Sequence, residues 1–315
     1  MNKLKRNIKK LWVILLSGIT FIAIFIISVN YNVSNLFGGM PSLQDLEKPE
    51  SELSSELYSS DNILLGKYFR YNRSPVKFDE LSDELVTTLL VTEDIRFYNH
   101  SGIDLKGLVR ATYGVIKNIA TFGSTGLDGG GSTITQQLAK NLFKIRREKK
   151  GKLSNVPFLG LVISKVKEWI VAVKLEEFYT KKEILAMYLN TAEYGSNSYG
   201  IKVAAKTYFN KDPSELNYNE SSIIVGLLNK PTKYNPFFNP ENATNKRSEI
   251  FYNLYKYNII DKTEYDSLIL TDLNLNYKVQ NQNVGQATYF RTVVRNYLIN
   301  WAKENGYDLF SDGLK

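Results

Sequence analysis

The stretch GGGSTITQQLAKN, residues 129–141, decides the fold of this chain. Its glycine run ends at Ser132 and Thr133, two hydroxyl residues that are typical N-caps of an α-helix. Gln136 follows Thr133 at the spacing of a capping box. The stretch therefore predicts a flexible loop that opens a helix, and a buried stripe recurs along that helix every four residues: Ile134, Leu138 and Leu142.

A second stripe of the same helix is polar and basic. Gln137, Lys140, Asn141 and Lys144 fall on a face next to the buried one. The first N–H groups of a helix have no partner within the helix, and they carry the positive end of its dipole. Bare N–H groups with a lysine on the neighbouring face predict a site that holds phosphate. The alternative is an ordinary solvent-exposed helix face.

The composition restricts the chemistry that this chain can perform. Its 315 residues include no cysteine and one histidine, His100. Cysteine nucleophiles, thiolate zinc sites and disulfides are therefore excluded. A metal ion would need oxygen ligands, which favours a hard cation such as Mg²⁺. The available groups are carboxylates, lysines, amides and hydroxyls.

The N-terminus has the pattern of a membrane anchor. Residues 11–29 form nineteen residues without a charge, enough to span a bilayer as a helix, and a basic tail, residues 1–10, precedes them. The positive-inside rule places the tail in the cytoplasm and the rest of the chain outside. A cleaved signal peptide is the weaker interpretation, because the apolar run is long and no Ala-x-Ala site follows it.

The net charge of +8 does not indicate nucleic-acid binding, since five of the positive charges lie in the tail. Residues 146–152 form a second basic run, and an apolar run, residues 156–163, follows it. This pair predicts either contact with an anionic lipid surface or a solvated loop beside a buried helix.

The outer part divides into a stalk, a large domain and a connector. We interpret residues 30–61 as the stalk. The pattern of residues 62–250 predicts a mostly α-helical domain that begins with a short strand or hairpin. Residues 251–315 predict a helical connector.

Two carboxylates are candidates for chemistry. Glu93 continues an apolar helix stripe, where partial burial would suit a general base. The alternative for Glu93 is an ion pair with Arg96 on the helix surface. Glu168 lies close in sequence to Lys165 and Lys167, a combination that fits either a phosphate site with a cation or a salt-bridged helix face.

Four motifs in order carry a family resemblance. They are Glu-Asp-x-x-Phe-x-x-His-x-Gly-x-Asp from Glu93, Gly-Gly-Ser-Thr-Ile-Thr-Gln-Gln-Leu-x-Lys-Asn from Gly130, Lys-x-x-Glu from Lys165, and Lys-Glu-Ile-Leu-x-x-Tyr-Leu-Asn from Lys182. The chain resembles the peptidoglycan glycosyltransferases of class A penicillin-binding proteins and of monofunctional transglycosylases. The resemblance runs from about Leu64 to Arg247.

This resemblance implies a mainly α, lysozyme-like glycosyltransferase domain with a mobile jaw at about residues 113–165, behind one transmembrane helix. It implies that the chain polymerises lipid II into glycan, with inversion at the donor MurNAc C1 and release of undecaprenyl pyrophosphate. Glu93 would be the base that deprotonates the acceptor GlcNAc 4-hydroxyl, and Glu168 would assist on the donor side. The connector would lead toward a transpeptidase domain that these 315 residues do not contain.

The resemblance also implies substrate-binding residues: Asp94, His100, Ser132, Thr133, Gln136, Gln137, Lys140, Asn141, Lys165 and Asn190. Mg²⁺ or another divalent cation would be held by Glu168. Two positions depart from the family pattern. Ser164 stands where arginine is usual, so that Lys167, Arg146 or Arg147 would have to supply the missing contact. Thr191 stands where glutamate is usual.

The implied partners are lipid II, the nascent glycan strand, the membrane and other cell-wall synthesis proteins, and the implied location is the bacterial cytoplasmic membrane. Two other functions compete with polymerisation. A lysozyme-like enzyme that cleaves glycan would share the fold and a glutamate, but it has no need of a lysine-rich pyrophosphate site. A catalytically silent scaffold that binds lipid II would not need Glu93, Lys140 and Glu168 together.

Overall fold

The computed structural model describes residues 2–47, 55–68, 74–120, 130–143, 145, 151–278, 288–310, 312 and 314. These ranges are mainly α-helical, as the sequence predicts. The α-helices are α1 (Asn2–Asn30), α2 (Leu43–Glu47), α3 (Asp83–Glu93), α4 (Leu105–Ala120), α5 (Ile134–Leu142), α6 (Leu159–Phe178), α7 (Lys181–Thr191), α8 (Ile201–Phe209), α9 (Tyr218–Asn229), α10 (Pro240–Lys256), α11 (Lys262–Leu270) and α12 (Thr288–Glu304). The strands are β1 (Ser55–Tyr58) and β2 (Leu64–Tyr68).

One large core lies among the helices that follow residue 79. Fully buried side chains reach it from α3, α5, α6, α7 and α9: Leu85, Leu138, Leu175, Leu189 and Ile224. α5 packs against both α6 and α7, and its predicted stripe lies in this core through Ile134 and Leu138. The core therefore fixes α5, although residues 134–142 fall within the span predicted as a jaw.

The N-terminal helix has the predicted apolar character. Residues 5–30 of α1 are long and apolar enough to cross a membrane. The last turns of α1 do not project freely, because the fully buried Val29 and its neighbour Phe25 pack on Ile163 and Val166 of α6. The anchor helix thus ends against the helix that carries Glu168.

The segment predicted as a stalk also contacts the large domain. The Nζ of Lys167 donates a hydrogen bond to the carbonyl of Gly39 at 3.2 Å, and the hydroxyl of Tyr179 donates to the carbonyl of Leu46 at 2.8 Å. The side chain of Leu46 is fully buried in the large core. Residues 39–46 therefore line the back of α6, opposite the cleft described below.

A small satellite module joins the hairpin before the helical core to the C-terminal part of the described chain. β1 and β2 form an antiparallel hairpin, and only β2 falls in the predicted strand region. The hairpin packs on α12 through Tyr68 and Ala302, and the N–H of Glu56 donates to the carbonyl of Leu314 at 2.7 Å. Part of the predicted connector thus packs on residues that precede the large domain.

α4 presents an apolar stripe to solvent. Leu105, Val109 and Tyr113 recur every four residues, and each side chain is about 70 % exposed (70 %, 70 % and 68 %). Phe158 and Leu161, within the predicted apolar run, are also exposed. Gly129, Lys144, Arg146 and Arg147 lie outside the described residues.

Candidate active site

A cleft of about 1050 Å³ lies between the C-terminal end of α3, the N-terminal end of α5, the middle of α6 and the facing side of α10. Eight sequence-predicted site residues line this cleft: Glu93, Asp94, Ser132, Thr133, Gln137, Lys140, Lys165 and Glu168. Motifs that are far apart in the sequence therefore converge on one cavity.

Glu93 is the last residue of α3 and is half-buried at the cleft. The side-chain amide of Gln137 donates a hydrogen bond from Nε2 to Oε2 of Glu93 at 2.8 Å. In the described part of the chain, the other oxygen, Oε1, has no hydrogen-bond partner. Arg96 pairs with Asp104, so the predicted alternative of a Glu93–Arg96 ion pair is not formed. Glu93 has one oxygen held and one available to a ligand.

Gln137 is itself held by a residue that the sequence reasoning did not single out. The hydroxyl of Tyr188, on α7, donates to Oε1 of Gln137 at 3.0 Å. Tyr188 is 1 % exposed, so its phenol has no access to bulk water. It belongs to the fourth sequence motif, but no spacing in the sequence indicates that it contacts the second.

The beginning of α5 is built around Gly102. The hydroxyl of Thr133 accepts the N–H of Gln136 as an N-cap, at 3.2 Å, and donates to the carbonyl of Gly102 at 2.8 Å. The predicted capping box is wrong in one respect, because the Gln136 side chain donates to Gly102 at 3.0 Å and does not return to the cap. Gly102 has φ +84°, and a Cβ there would lie 2.8 Å from the backbone of Ala172.

Asp94 occupies the N-terminal end of α5. One carboxylate oxygen accepts the N–H of Ile134 at 3.2 Å, and the carboxylate also contacts Nε2 of His100 at 3.0 Å. The side chains of Asp94 and His100 are both buried. The prediction of bare N–H groups is wrong for Ile134 and Gln136, since Asp94 and Thr133 accept them. These two N–H groups at the start of α5 are therefore not open to an anion in the cleft.

Lys165 connects α6 to the loop that precedes α5. Its Nζ lies 2.7 Å from the hydroxyl of Ser132 and 2.7 Å from Oε2 of Glu168. Glu168 is 1 % exposed, whereas the side chain of Lys165 is 35 % exposed and faces the cleft. Lys140, from the last turn of α5, lines the same cavity. Two ammonium groups and a hydroxyl thus line the cleft.

An ion pair between Arg96 and Asp104 lines the same cleft as Glu93. The guanidinium of Arg96 donates to the carboxylate of Asp104, with Nε at 3.1 Å. Burial works to raise the pKa of Asp104, but hydrogen bonds from Arg96 and from the N–H of Gly107 outweigh burial. The pKa of Asp104 therefore lies below its ordinary value of 3.8.

Other predicted residues do not line the cleft. Asn141 is exposed. Asn190 forms two hydrogen bonds with the backbone of Val76, at 3.0 and 2.8 Å, which fix the segment before α3. Lys167, one of the three residues suggested in place of the missing arginine, is buried and donates to the carbonyl of Gly39 behind α6, so its ammonium does not line the cleft. Ser164 donates to the carbonyl of Gly160 in its own helix.

α10 supplies a basic wall that the sequence motifs do not predict. Lys246 and Lys256 line the cleft from this helix, and Lys230 lines it from the residue after α9. Lys246 is only 13 % exposed and pairs with Glu249 at 2.9 Å. These residues come from a part of the chain more than one hundred residues beyond Glu93, and only the packing of α9 on α10 places them in the cavity.

Comparison with known proteins agrees with this arrangement. A model of the family described as Transglycosylase matches residues 61–255. The chain belongs to this transglycosylase family. The matched region contains every residue that lines the cleft except Lys256 and Tyr257.

Known proteins that are similar to this chain include penicillin-binding proteins 1A. The chain is 30 % identical to the protein from Pseudomonas aeruginosa over 98 % of this chain and 35 % of that one, and 31 % identical to the protein from Escherichia coli over 85 % and 29 %. It thus spans about a third of the length of these relatives. A crystal structure of penicillin-binding protein 1A from Haemophilus influenzae matches with a TM-score of 0.44 and 20 % identity, over 84 % of this chain and 26 % of that one.

Proposed function

We propose that this chain is a membrane-bound peptidoglycan glycosyltransferase that uses lipid II as donor and acceptor. Membership of the transglycosylase family supports this activity class. The observation that carries the proposal is the cleft itself, which is lined by a glutamate with one available oxygen and by Ser132, Lys140 and Lys165.

Glu93 is the proposed general base. Its available Oε1 accepts the proton of the acceptor 4-hydroxyl while that oxygen forms a bond to C1 of the donor. The bond between C1 and the pyrophosphate oxygen breaks, and its electron pair leaves with the pyrophosphate. Attack opposite to the departing group inverts C1. Gln137 holds the other carboxylate oxygen, so that Glu93 does not rotate away from the hydroxyl.

Lys140, Lys165 and Ser132 are the proposed partners of the leaving pyrophosphate. Charge builds on the bridging oxygen as the bond to C1 breaks, and ammonium groups placed there beforehand stabilise that charge without rearrangement. Glu168 is the proposed positioning carboxylate, since its contact at 2.7 Å holds Lys165 in place.

A divalent cation remains part of the proposal. The described part of the chain has no group of three or more His, Asp or Glu side chains suited to a metal. Mg²⁺, however, commonly binds through one or two carboxylates together with substrate phosphates and water. Glu168 is the carboxylate that fits this role, shared with Lys165. When bound, the cation would neutralise phosphate charge.

The surface features of the chain support a location at the membrane. α1 is able to span a bilayer, and the exposed apolar stripe of α4 and the exposed Phe158 suit contact with lipid. The basic tail before the span supports an N-terminus in the cytoplasm and a cleft outside, where the growing glycan strand and other cell-wall synthesis proteins would be its partners.

Turnover of labelled lipid II by the purified chain in detergent, with and without Mg²⁺, tests the proposal. We expect polymeric glycan from the parent chain, and a loss on the order of 10²–10⁴-fold in Glu93→Gln, because an amide does not accept the proton. Release of short glycan from preformed strands would indicate the cleaving enzyme. Binding of lipid II without turnover would indicate the silent scaffold.

A further inference from the structure

Three side chains from three helices form a continuous chain of hydrogen bonds that ends at Glu93. Tyr188 on α7 donates to Oε1 of Gln137 on α5 at 3.0 Å, and Nε2 of Gln137 donates to Oε2 of Glu93 on α3 at 2.8 Å. Tyr188 is not among the residues that line the cleft, so it does not touch a ligand bound there.

The polarity of this chain is fixed by its two ends. An ionised carboxylate only accepts hydrogen bonds, so the amide of Gln137 must turn its NH₂ group toward Glu93. Its carbonyl oxygen then faces Tyr188, and the phenol must donate to it. In the reversed orientation the carbonyl oxygen of Gln137 would face the carboxylate, and two acceptors would repel each other.

The phenol is a permanent donor. The pKa of Tyr188 lies well above its ordinary value of 10.0. The main cause is burial, and the second is the negative charge of Glu93. The hydroxyl of Tyr188 therefore keeps its proton throughout the pH range in which proteins work, and Gln137 always meets a donor on that side.

We infer that Tyr188 is a positioning residue for Glu93, acting through the amide of Gln137. The inference rests on the proposed role of Glu93 as general base. Tyr188 and Glu93 together hold the amide in one orientation, and the amide holds Oε2 of Glu93 so that Oε1 stays directed at the acceptor hydroxyl. Without the phenol, the amide loses one of its two restraints and turns about its own side chain.

Tyr188→Phe in the full chain, assayed on lipid II in detergent, tests the inference. We expect kcat to fall about tenfold, the factor that corresponds to about 1.4 kcal/mol and to one buried hydrogen bond. KM for lipid II should stay within about twofold, because Tyr188 touches no substrate. An unchanged kcat would overturn the inference.

Tyr194→Phe is the matched control. Tyr194 is also fully buried, and its hydroxyl donates to the carbonyl of Leu189 at 3.1 Å, outside the chain of contacts to Glu93. We expect both variants to lose similar thermal stability, but only Tyr188→Phe to lose kcat. Equal kcat losses in the two would show that general loosening of the core is responsible, which contradicts a positioning role.

Gln137→Met completes the test, since it keeps Tyr188 and fills similar space. In the Gln137→Met background, Tyr188→Phe should cause no further loss of kcat, because its effect passes through the amide. Additive losses would overturn the inference. Glu93→Gln is measured alongside: retained polymerisation in that variant rejects the proposed function, whereas its loss together with full activity of Tyr188→Phe rejects the positioning role alone.

Discussion

Lys165 donates a hydrogen bond to the hydroxyl of Ser132 at 2.7 Å and so connects the loop before α5 to the middle of α6. The same ammonium is paired with the buried Glu168. The position of this positive charge in the cleft is therefore set from two sides, by a residue of the Gly-rich segment and by a residue of the helix core.

We predict that Lys165→Met lowers kcat/KM for lipid II about tenfold or more, through both a higher KM and a lower kcat, because hydrogen bonds to charged groups contribute about 1.5–3 kcal/mol and the proposed role of Lys165 includes stabilising charge in the transition state. The measurement is the dependence of polymerisation rate on lipid II concentration. Lys174→Met, a lysine on the same helix that lies 3.5 Å from Asn30, is the control and should keep its KM. The double variant Lys165→Met/Glu168→Gln should recover stability, but not KM, since it no longer buries the charge from which the Lys165 ammonium has been removed.

The Arg96–Asp104 pair predicts an acid-dependent loss of stability. The pKa of Asp104 in the folded protein lies below 3.8, the value expected when the chain is unfolded. Its stabilising contribution is therefore complete above about pH 4 and is lost as the pH falls through the lower, folded-state pKa. Thermal unfolding from pH 7 to pH 2 should show this loss in the parent chain. Asp104→Asn should have a lower melting temperature than the parent chain at pH 7. The difference in melting temperature between the two proteins should decrease as the pH falls.

Asn190 is predicted to affect stability and not substrate binding. Asn190→Ala removes two hydrogen bonds to the backbone of Val76 and should cost about 2 kcal/mol in the free energy of unfolding. KM for lipid II should not change. Asn141→Ala, at an exposed position, should leave stability within about 0.5 kcal/mol. A raised KM with unchanged stability in Asn190→Ala would instead support the substrate contact that the family resemblance implies.

The point at which the N-terminus is cut should decide whether the domain survives. Deletion of residues 1–24 keeps Phe25, Val29 and the segment behind α6, and we expect a folded chain that is active on detergent-solubilised lipid II. Deletion of residues 1–40 uncovers Ile163 and Val166 and removes the Gly39 carbonyl that Lys167 contacts, so the melting temperature should fall. Equal melting temperatures in the two truncations would contradict this packing.

Much of the fold follows from local signals in the sequence. The apolar run of α1 and the N-cap at Thr133 are each encoded within a few residues, and the structure confirms both. Local rules are sufficient at these places because the interacting groups are neighbours in the chain.

The contacts that arrange the candidate site were not predictable in this way. Asp94 satisfies the N-terminus of α5 from forty residues away, and Tyr188 reaches Gln137 from another helix. The spacing of residues in the sequence predicts α5 as a helix with bare N–H groups. Such spacing contains no information about which distant carboxylate packs against the N-terminal end of α5. Lys167 shows the same limitation, since its direction along α6 depends on the segment behind the helix.

The pairing of the β1–β2 hairpin with the end of the chain has a consequence for the order of folding. Ser55 and Leu314 form a hydrogen bond although 259 positions separate them, and closing so long a loop is slow compared with forming local helices. During synthesis, the hairpin leaves the ribosome long before its partners do. The helical core that holds Glu93 and Lys165 can therefore assemble first, and the hairpin must wait, with an unpaired strand edge, until α12 and Leu314 arrive to cover it.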